Sequence, residues 1–277
     1  MRNLLCGIIL VGSLMLFAGC SRRDCGCLPP PPTDPGGTQK LSYGDSIFHL
    51  KSSDYIVAPA NARTGTYTAF PNNLKIDRTT GAITIGLKGT DGESQTGMWY
   101  KIIYRSSSGS ETDSTYVLLS GITYVDKFYM LPQGDSIVYP IYNGDPAKLL
   151  PTGNYDIAHD DKFAIEPSTG RINLKELMRR GFFGNQQNQS WKIATVKYAI
   201  NDNSNNAINN IDLVIYYYHT LAEVPSNVSA LMQAHQSMTL RIATPTIPST
   251  TGSVDNNLPS ELSISKPRPP CIIIIGS

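Results

Sequence analysis

The chain has 277 residues, 40% of them hydrophobic and 16% charged, and its 23 basic and 22 acidic side chains leave a formal net charge of +1 at pH 7. With no basic excess and no long acidic run, it lacks the electrostatic footprint of a nucleic-acid partner or an anionic-surface binder. Abundant Gly, Pro and Tyr, at 23, 19 and 15 residues, suit extracytoplasmic β structure, whose turns need Gly and Pro and whose strands favour Tyr, Val, Ile and Thr.

Arg2 opens a leader whose apolar run extends from Leu4 to Phe17, broken only by small residues and Ser13. At about 14 residues it is shorter than the roughly 20 of a membrane-spanning helix and has the length of a signal region. Leu16-Phe17-Ala18-Gly19 then leads directly into Cys20. This layout resembles a bacterial lipoprotein signal peptide. The resemblance implies that residues 1–19 are cleaved and that lipid, palmitate included, is carried on Cys20, so that the protein's first partner is the membrane. Ser21 stands where an Asp would signal inner-membrane retention, so the outer membrane is expected, with its periplasmic and surface faces both open. Residues 20–40 read as a stalk, because Pro29 to Pro32, Pro35, Gly36 and Gly37 favour an extended spacer with no packed core.

Cys6 leaves with the leader, and with Cys20 lipidated Cys25, Cys27 and Cys271 remain, an odd set for an oxidising compartment. Either Cys25 or Cys27 could pair with Cys271. No histidine lies near them in sequence, so no metal site is expected.

An internal repeat follows the stalk. Gly44-Asp45-Ser46-Ile47 recurs ninety residues later as Gly134-Asp135-Ser136-Ile137. Ile76-Asp77-Arg78-Thr79-Thr80-Gly81-Ala82-Ile83 recurs eighty-nine residues later as Ile165-Glu166-Pro167-Ser168-Thr169-Gly170-Arg171-Ile172. Trp99 and Trp191 open the next hydrophobic run in each copy. Ordered landmarks at near-constant spacing mark a tandem pair, residues 41–127 and 128–220. Each copy reads as β. Met98, Tyr100, Ile102 and Tyr104 alternate with Trp99, Lys101, Ile103 and Arg105, and Ala194, Val196, Tyr198 and Ile200 share one strand face. Ile211, Leu213, Ile215 and Tyr217 share one face of the last strand, after a polar hairpin loop over 201–210. Gly81 and Gly170 supply positive φ to a tight turn.

The second copy alone has Leu174, Leu177 and Met178 at helical spacing, capped by Asn173 and stopped by Gly181, followed by Phe182-Phe183-Gly184. Such an insertion either carries a private function or covers an open sheet edge.

The Thr-Gly turn motif resembles that of bacterial cadherin-like and immunoglobulin-like repeats, in which a polar loop with Asp splits the last two strands, as Asn201-Asp202-Asn203 does here. The resemblance implies an all-β fold of two tandem Ig/cadherin-like β-sandwiches and no particular reaction. Calcium ligation of the cadherin kind would fall on Asp202, which has no recognisable acidic partners in the sequence.

Signals for chemistry are missing. His49, His159, His219 and His235 show no zinc spacing, and no nucleophile elbow, phosphate loop or dinucleotide fingerprint occurs. Asp91, Glu93 and Glu111 lie in turn-like polar stretches. No enzyme activity, cofactor or metal is expected. Aromatic residues are the better lead: adjacent rings such as Tyr216-Tyr217-Tyr218 face opposite sides of a strand, so some reach solvent, where they stack on sugars or pack on protein. Trp99, Tyr100, Tyr216 and Tyr218 are the candidate ligand-binding residues.

The tail, 221–277, is rich in Pro, Ser, Thr and Asn and reads as largely irregular after a short helix from Val228 to Met238. Its Cys271-Ile272-Ile273-Ile274-Ile275 end reads as a strand that docks as an edge or pairs with a partner. Two functions follow as expectations. One is a non-enzymatic, lipid-anchored binding or adhesion protein for a glycan or an envelope protein. The other is an accessory subunit of an outer-membrane assembly that docks through the Ile-rich strand.

Overall fold

A computed structural model describes residues 40–86, 95–185, 188–230, 232–233 and 269–276. The leader, Cys20, the stalk up to residue 39, and Cys25, Cys27, Asp91, Glu93 and His235 lie outside the described residues. The chain divides into Met1–Thr38 and a compact unit, Gln39–Ser277, which contains every element below.

The fold is all-β. The first half contributes β1 (Ile47–Phe48), β2 (Tyr55–Val57), β3 (Gly65–Phe70), β4 (Ile83–Ile85), β5 (Met98–Ser106) and β6 (Thr112–Leu119). One sheet runs β1-β6-β5-β3, and β2 pairs with β4. Between them lies a core that includes Tyr67, Ile83, Ile85, Tyr100, Ile102 and Tyr104. The alternation of β5 places Met98, Tyr100, Ile102 and Tyr104 inward, as the period-two pattern predicts.

The second half contributes β7 (Ile122–Tyr124), β8 (Lys127–Met130), β9 (Ile137–Val138), β10 (Pro140–Tyr142), β11 (Gly153–Asn154), β12 (Ile172–Asn173), α1 (Leu174–Arg179), β13 (Ser190–Ile200) and β14 (Asn209–Tyr218), and the tail adds β15 (Cys271–Ile275). The main sheet runs β11-β13-β14-β15-β8, and β12 pairs with β9 and β10 with β7. Ala194, Val196, Tyr198, Ile211, Leu213 and Ile215 face a second core. Ile122 and Tyr124, which precede the 127/128 division read from the sequence, also pack in this second core.

The repeated turn is closed by the same backbone bonds in both copies. Asp77 and Glu166 each donate a backbone N–H to the residue five places on, Ala82 and Arg171, at 2.8 Å. Gly81 and Gly170, at φ +73° and +65°, donate back to Asp77 and Glu166 at 2.8 Å. A Cβ on Gly81 would lie 2.7 Å from the Tyr67 ring, and one on Gly170 would lie 3.0 Å from that of Tyr155. Glycine is therefore required twice over, by φ and by the tyrosine beneath it. Tyr43 and Tyr124 close the turns from the far side, each hydroxyl donating to the glycine carbonyl, at 2.6 and 2.8 Å.

Asn173 caps α1 as predicted, its side chain accepting from the Glu176 N–H at 3.0 Å. Leu174, Leu177, Phe182 and Phe183 are all buried in the second core, so the insertion plugs that core. The tail departs further from expectation. β15 is an interior strand, parallel to β14 on one side and to β8 on the other, and all five of its residues are fully buried. In the first half the last strand, β6, has β1 as its parallel partner; in the second half β15 takes that place beside β14. Ile272 and Ile274 point into the main core. Cys271, Ile273 and Ile275 point the other way, where Val228 and Met232 cover them. The helical turns over 226–230 that carry Val228 begin two residues before the predicted short helix and overlap its start.

Candidate functional site

The five-stranded sheet has two apolar faces, and the outer one is only partly covered. On β13 the residues out of phase with the inward set are Trp191 and Ile193, 59% and 57% exposed. Their cross-strand partners on β14 are Tyr216 and Val214. The Trp191 and Tyr216 rings lie 6.4 Å apart, and Tyr216 stacks on Tyr218 at 6.2 Å with 10° between planes. The row thus runs from solvent at Trp191 to cover at Tyr218, which is 4% exposed and packs with Val228, Met232 and Ile273. Burial pushes the Tyr218 hydroxyl above its ordinary pKa. Among the described residues no strand pairs with β13 over 190–198 on the side away from β14, and the Ile157 N–H donates to the Lys197 carbonyl there at 3.0 Å.

Of the four residues singled out in the sequence, two come together here, Tyr216 and Tyr218. Tyr100 does not: it is 0% exposed, with its hydroxyl held between the N–H and C=O of Gln95 at 2.8 and 2.9 Å and its pKa raised by burial. A ring in that position packs the first core and meets no ligand. Trp99 lies half-buried on the opposite face of β5, where a Cβ built on Gly144 would be 3.7 Å from its Cδ1. Trp191, a landmark of the repeat, is the exposed ring. Its position was readable, because Ala194, Val196 and Tyr198 facing inward put residues 191 and 193 outward.

The densest polar cluster joins the two halves. Oδ2 of Asp202 accepts from the hydroxyls of Ser120 and Tyr142, each at 3.0 Å, and lies 3.3 Å from Nδ1 of His49. Oδ1 accepts the Ser204 N–H at 2.8 Å. Despite its burial, these bonds hold the carboxyl below the ordinary carboxylate pKa. Nearby, the Tyr198 hydroxyl meets Thr96 Oγ1 at 2.8 Å and accepts from Asn209 at 2.7 Å and from the Ile122 N–H at 3.2 Å. This donor set does not fit calcium, which takes six to eight oxygen ligands with several carboxylates among them. Asp202 sits among hydroxyls and an imidazole, and among the described residues no three His, Cys, Asp or Glu side chains converge. The cluster is a joint. His159, between Asp156 at 3.0 Å and Asp161 at 3.2 Å, is 73% exposed in its loop, with its pKa raised by those two carboxylates.

Among the described residues no helix is long and apolar enough to cross a membrane. No family model matches the chain, and no curated protein matches it. Solved structures give loose likenesses only. The titin domains Z1Z2, in a complex with telethonin, are 11% identical over 64% of this chain and 93% of that one, with a TM-score of 0.17. Extracellular domains 3–5 of Drosophila OTK are 7% identical over 66% of each chain, at 0.18. The N-terminal four Ig domains of Dscam1 isoform 4.4 are 9% identical, at 0.20, and this chain spans 46% of their length. Superpositions of this quality carry no argument about the chain.

Proposed function

We propose that the protein is a non-enzymatic, lipid-anchored binding module of the bacterial cell envelope that holds a glycan on the outer face of β13 and β14. The observation that carries this reading is the exposed Trp191–Tyr216 pair beside Ile193. Flat rings standing on a rigid sheet offer the apolar C–H face of a sugar a stacking surface, with little side-chain entropy to lose. The anchor rests on the run from Leu16 to Cys20 and the Pro-rich stalk after it, which suit a domain held off the outer membrane.

The accessory-subunit reading requires Cys271–Ile275 to pair with another protein. Each of those residues is fully buried between β14 and β8, which favours the ring face as the docking surface. The chain's two tryptophans make the test direct. Titration with soluble xylo-, cello- and chito-oligosaccharides is expected to shift the tryptophan emission, and Trp191→Phe to abolish the shift. Emission that stays constant with all three series would count against a glycan ligand and direct the search to envelope proteins.

A further inference from the structure

The second repeat carries a cleft beside its Thr-Gly turn. β9 and β12 turn Val138 and Ile172 into the core, which leaves Ile137 and Asn173 outward, on the floor of a cleft of about 370 Å³. The turn at Glu166–Arg171 forms one wall, and the C-terminal end of α1, at Arg180, forms another. Tyr139 is 57% exposed at the rim, and the Arg171 guanidinium lies over its ring, 5.3 Å from the centroid.

Most charges around the cleft are already engaged. Glu176 accepts from Arg179 at 2.6 Å and from Arg180 at 2.9 Å, and Arg180 also donates to the Asp161 carbonyl at 3.1 Å. Glu166 accepts from the Thr169 hydroxyl within its own turn. Arg171 differs: among the described residues no salt bridge is formed by it, and its guanidinium lies against the tyrosine ring, a contact that leaves the N–H fork for a ligand. A planar fork of this kind matches a carboxylate in two-point contact. The volume falls in the lower part of the range of small-molecule sites, about 300–1,000 Å³, enough for one or two sugar rings.

The first repeat acts as an internal control. By the repeat's own offsets, His49 stands at the position of Tyr139 and Ala82 at that of Arg171. His49 is turned to Asp202. The ring and the cation of the cleft are therefore private to the second repeat.

From this we infer that the Tyr139–Arg171 cleft is a site for a carboxylate-bearing saccharide, a uronic-acid unit seated against the Arg171 fork. It stands independently of the Trp191 face. The test is calorimetric titration of the full mature chain with oligomers of galacturonate, glucuronate and mannuronate, beside a neutral galactose oligomer of equal length and a short peptide with a free C-terminal carboxylate. At least one uronate series is expected to bind at least tenfold more tightly than the neutral oligomer. Arg171→Ala should weaken that binding at least tenfold, and Arg78→Ala, at an exposed cation in the first repeat's turn, should leave it unchanged. Arg171 and Tyr139 are both exposed, so the melting temperatures of Arg171→Ala and Tyr139→Ala should match the parent. Equal affinity for the neutral oligomer, uronate binding that survives Arg171→Ala, or no binding of any uronate would overturn the assignment. Arg171-dependent binding of the peptide alone would reassign the cleft to a protein ligand.

Discussion

At the scale of single residues, Asp202 concentrates the most consequence. Its side chain is 8% exposed, and it collects His49 and Ser120 from one side of the joint and Tyr142 and Ser204 from the other. Hydrogen bonds to a charged acceptor are stronger than neutral ones, so Asp202→Asn, which keeps the shape and loses the charge, should cost about 1–2 kcal/mol in urea unfolding at pH 7. The sign with pH follows from the lowered carboxyl pKa. The charged-form contribution is complete above the unfolded carboxylate value, about 3.9, and is lost as pH falls through the lower folded value. The gap between parent and variant should therefore persist from pH 7 to about 5 and close on further acidification, whereas a constant gap would assign the effect to packing. The sequence offered Asp202 as part of an Asn-Asp-Asn loop. Ser204 is two residues on, but its other partners, Tyr142, Ser120 and His49, could not be read, because they lie 60 to 153 residues away and hydroxyls carry no spacing signature.

At the scale of elements, what is local was legible and what is long-range was not. The Thr-Gly turn could be read because one glycine, one acidic or Asp-like lead and two flanking isoleucines are set by a single turn's geometry, and the same backbone bonds recur in both copies. The helix cap at Asn173 was legible for the same reason. That Cys271–Ile275 forms a strand followed from four isoleucines in a row. Its place between β14 and β8 did not, since parallel pairing across more than fifty residues leaves no periodic trace in the chain. The hydrophobic run does carry one further hint. A strand with one solvated face alternates apolar and polar residues, whereas isoleucine at every position suits burial on both faces. Ile273→Ala and Ile274→Ala should therefore each cost about 2–5 kcal/mol, the range for emptying a packed site, although the two side chains enter different clusters. Loss from only one of the two in denaturant titration would mean that one face of the strand is uncovered in solution.

At the scale of the whole molecule, the proposed reading is a lipid on Cys20 and a Pro-rich stalk that would hold the two joined β halves at a distance from the membrane. Replacing Cys20 by Ser should move the protein from the membrane fraction to the soluble one on cell fractionation; unchanged membrane association would remove the lipid anchor from this description. Which surface is presented was the hardest part to read from sequence. Four aromatic residues were candidates, and strand phase alone separates Trp191 from the inward rings, whereas the burial of Tyr218 depends on helical turns that pack from the tail. The most direct measurement is affinity electrophoresis of the full mature chain through gels containing a panel of neutral polysaccharides, with Trp191→Ala and Trp99→Ala run alongside. Binding on the β13–β14 face predicts retardation by at least one polysaccharide that is lost in Trp191→Ala and kept in Trp99→Ala. Retardation that survives Trp191→Ala, or none in any gel, would contradict a glycan site on that face.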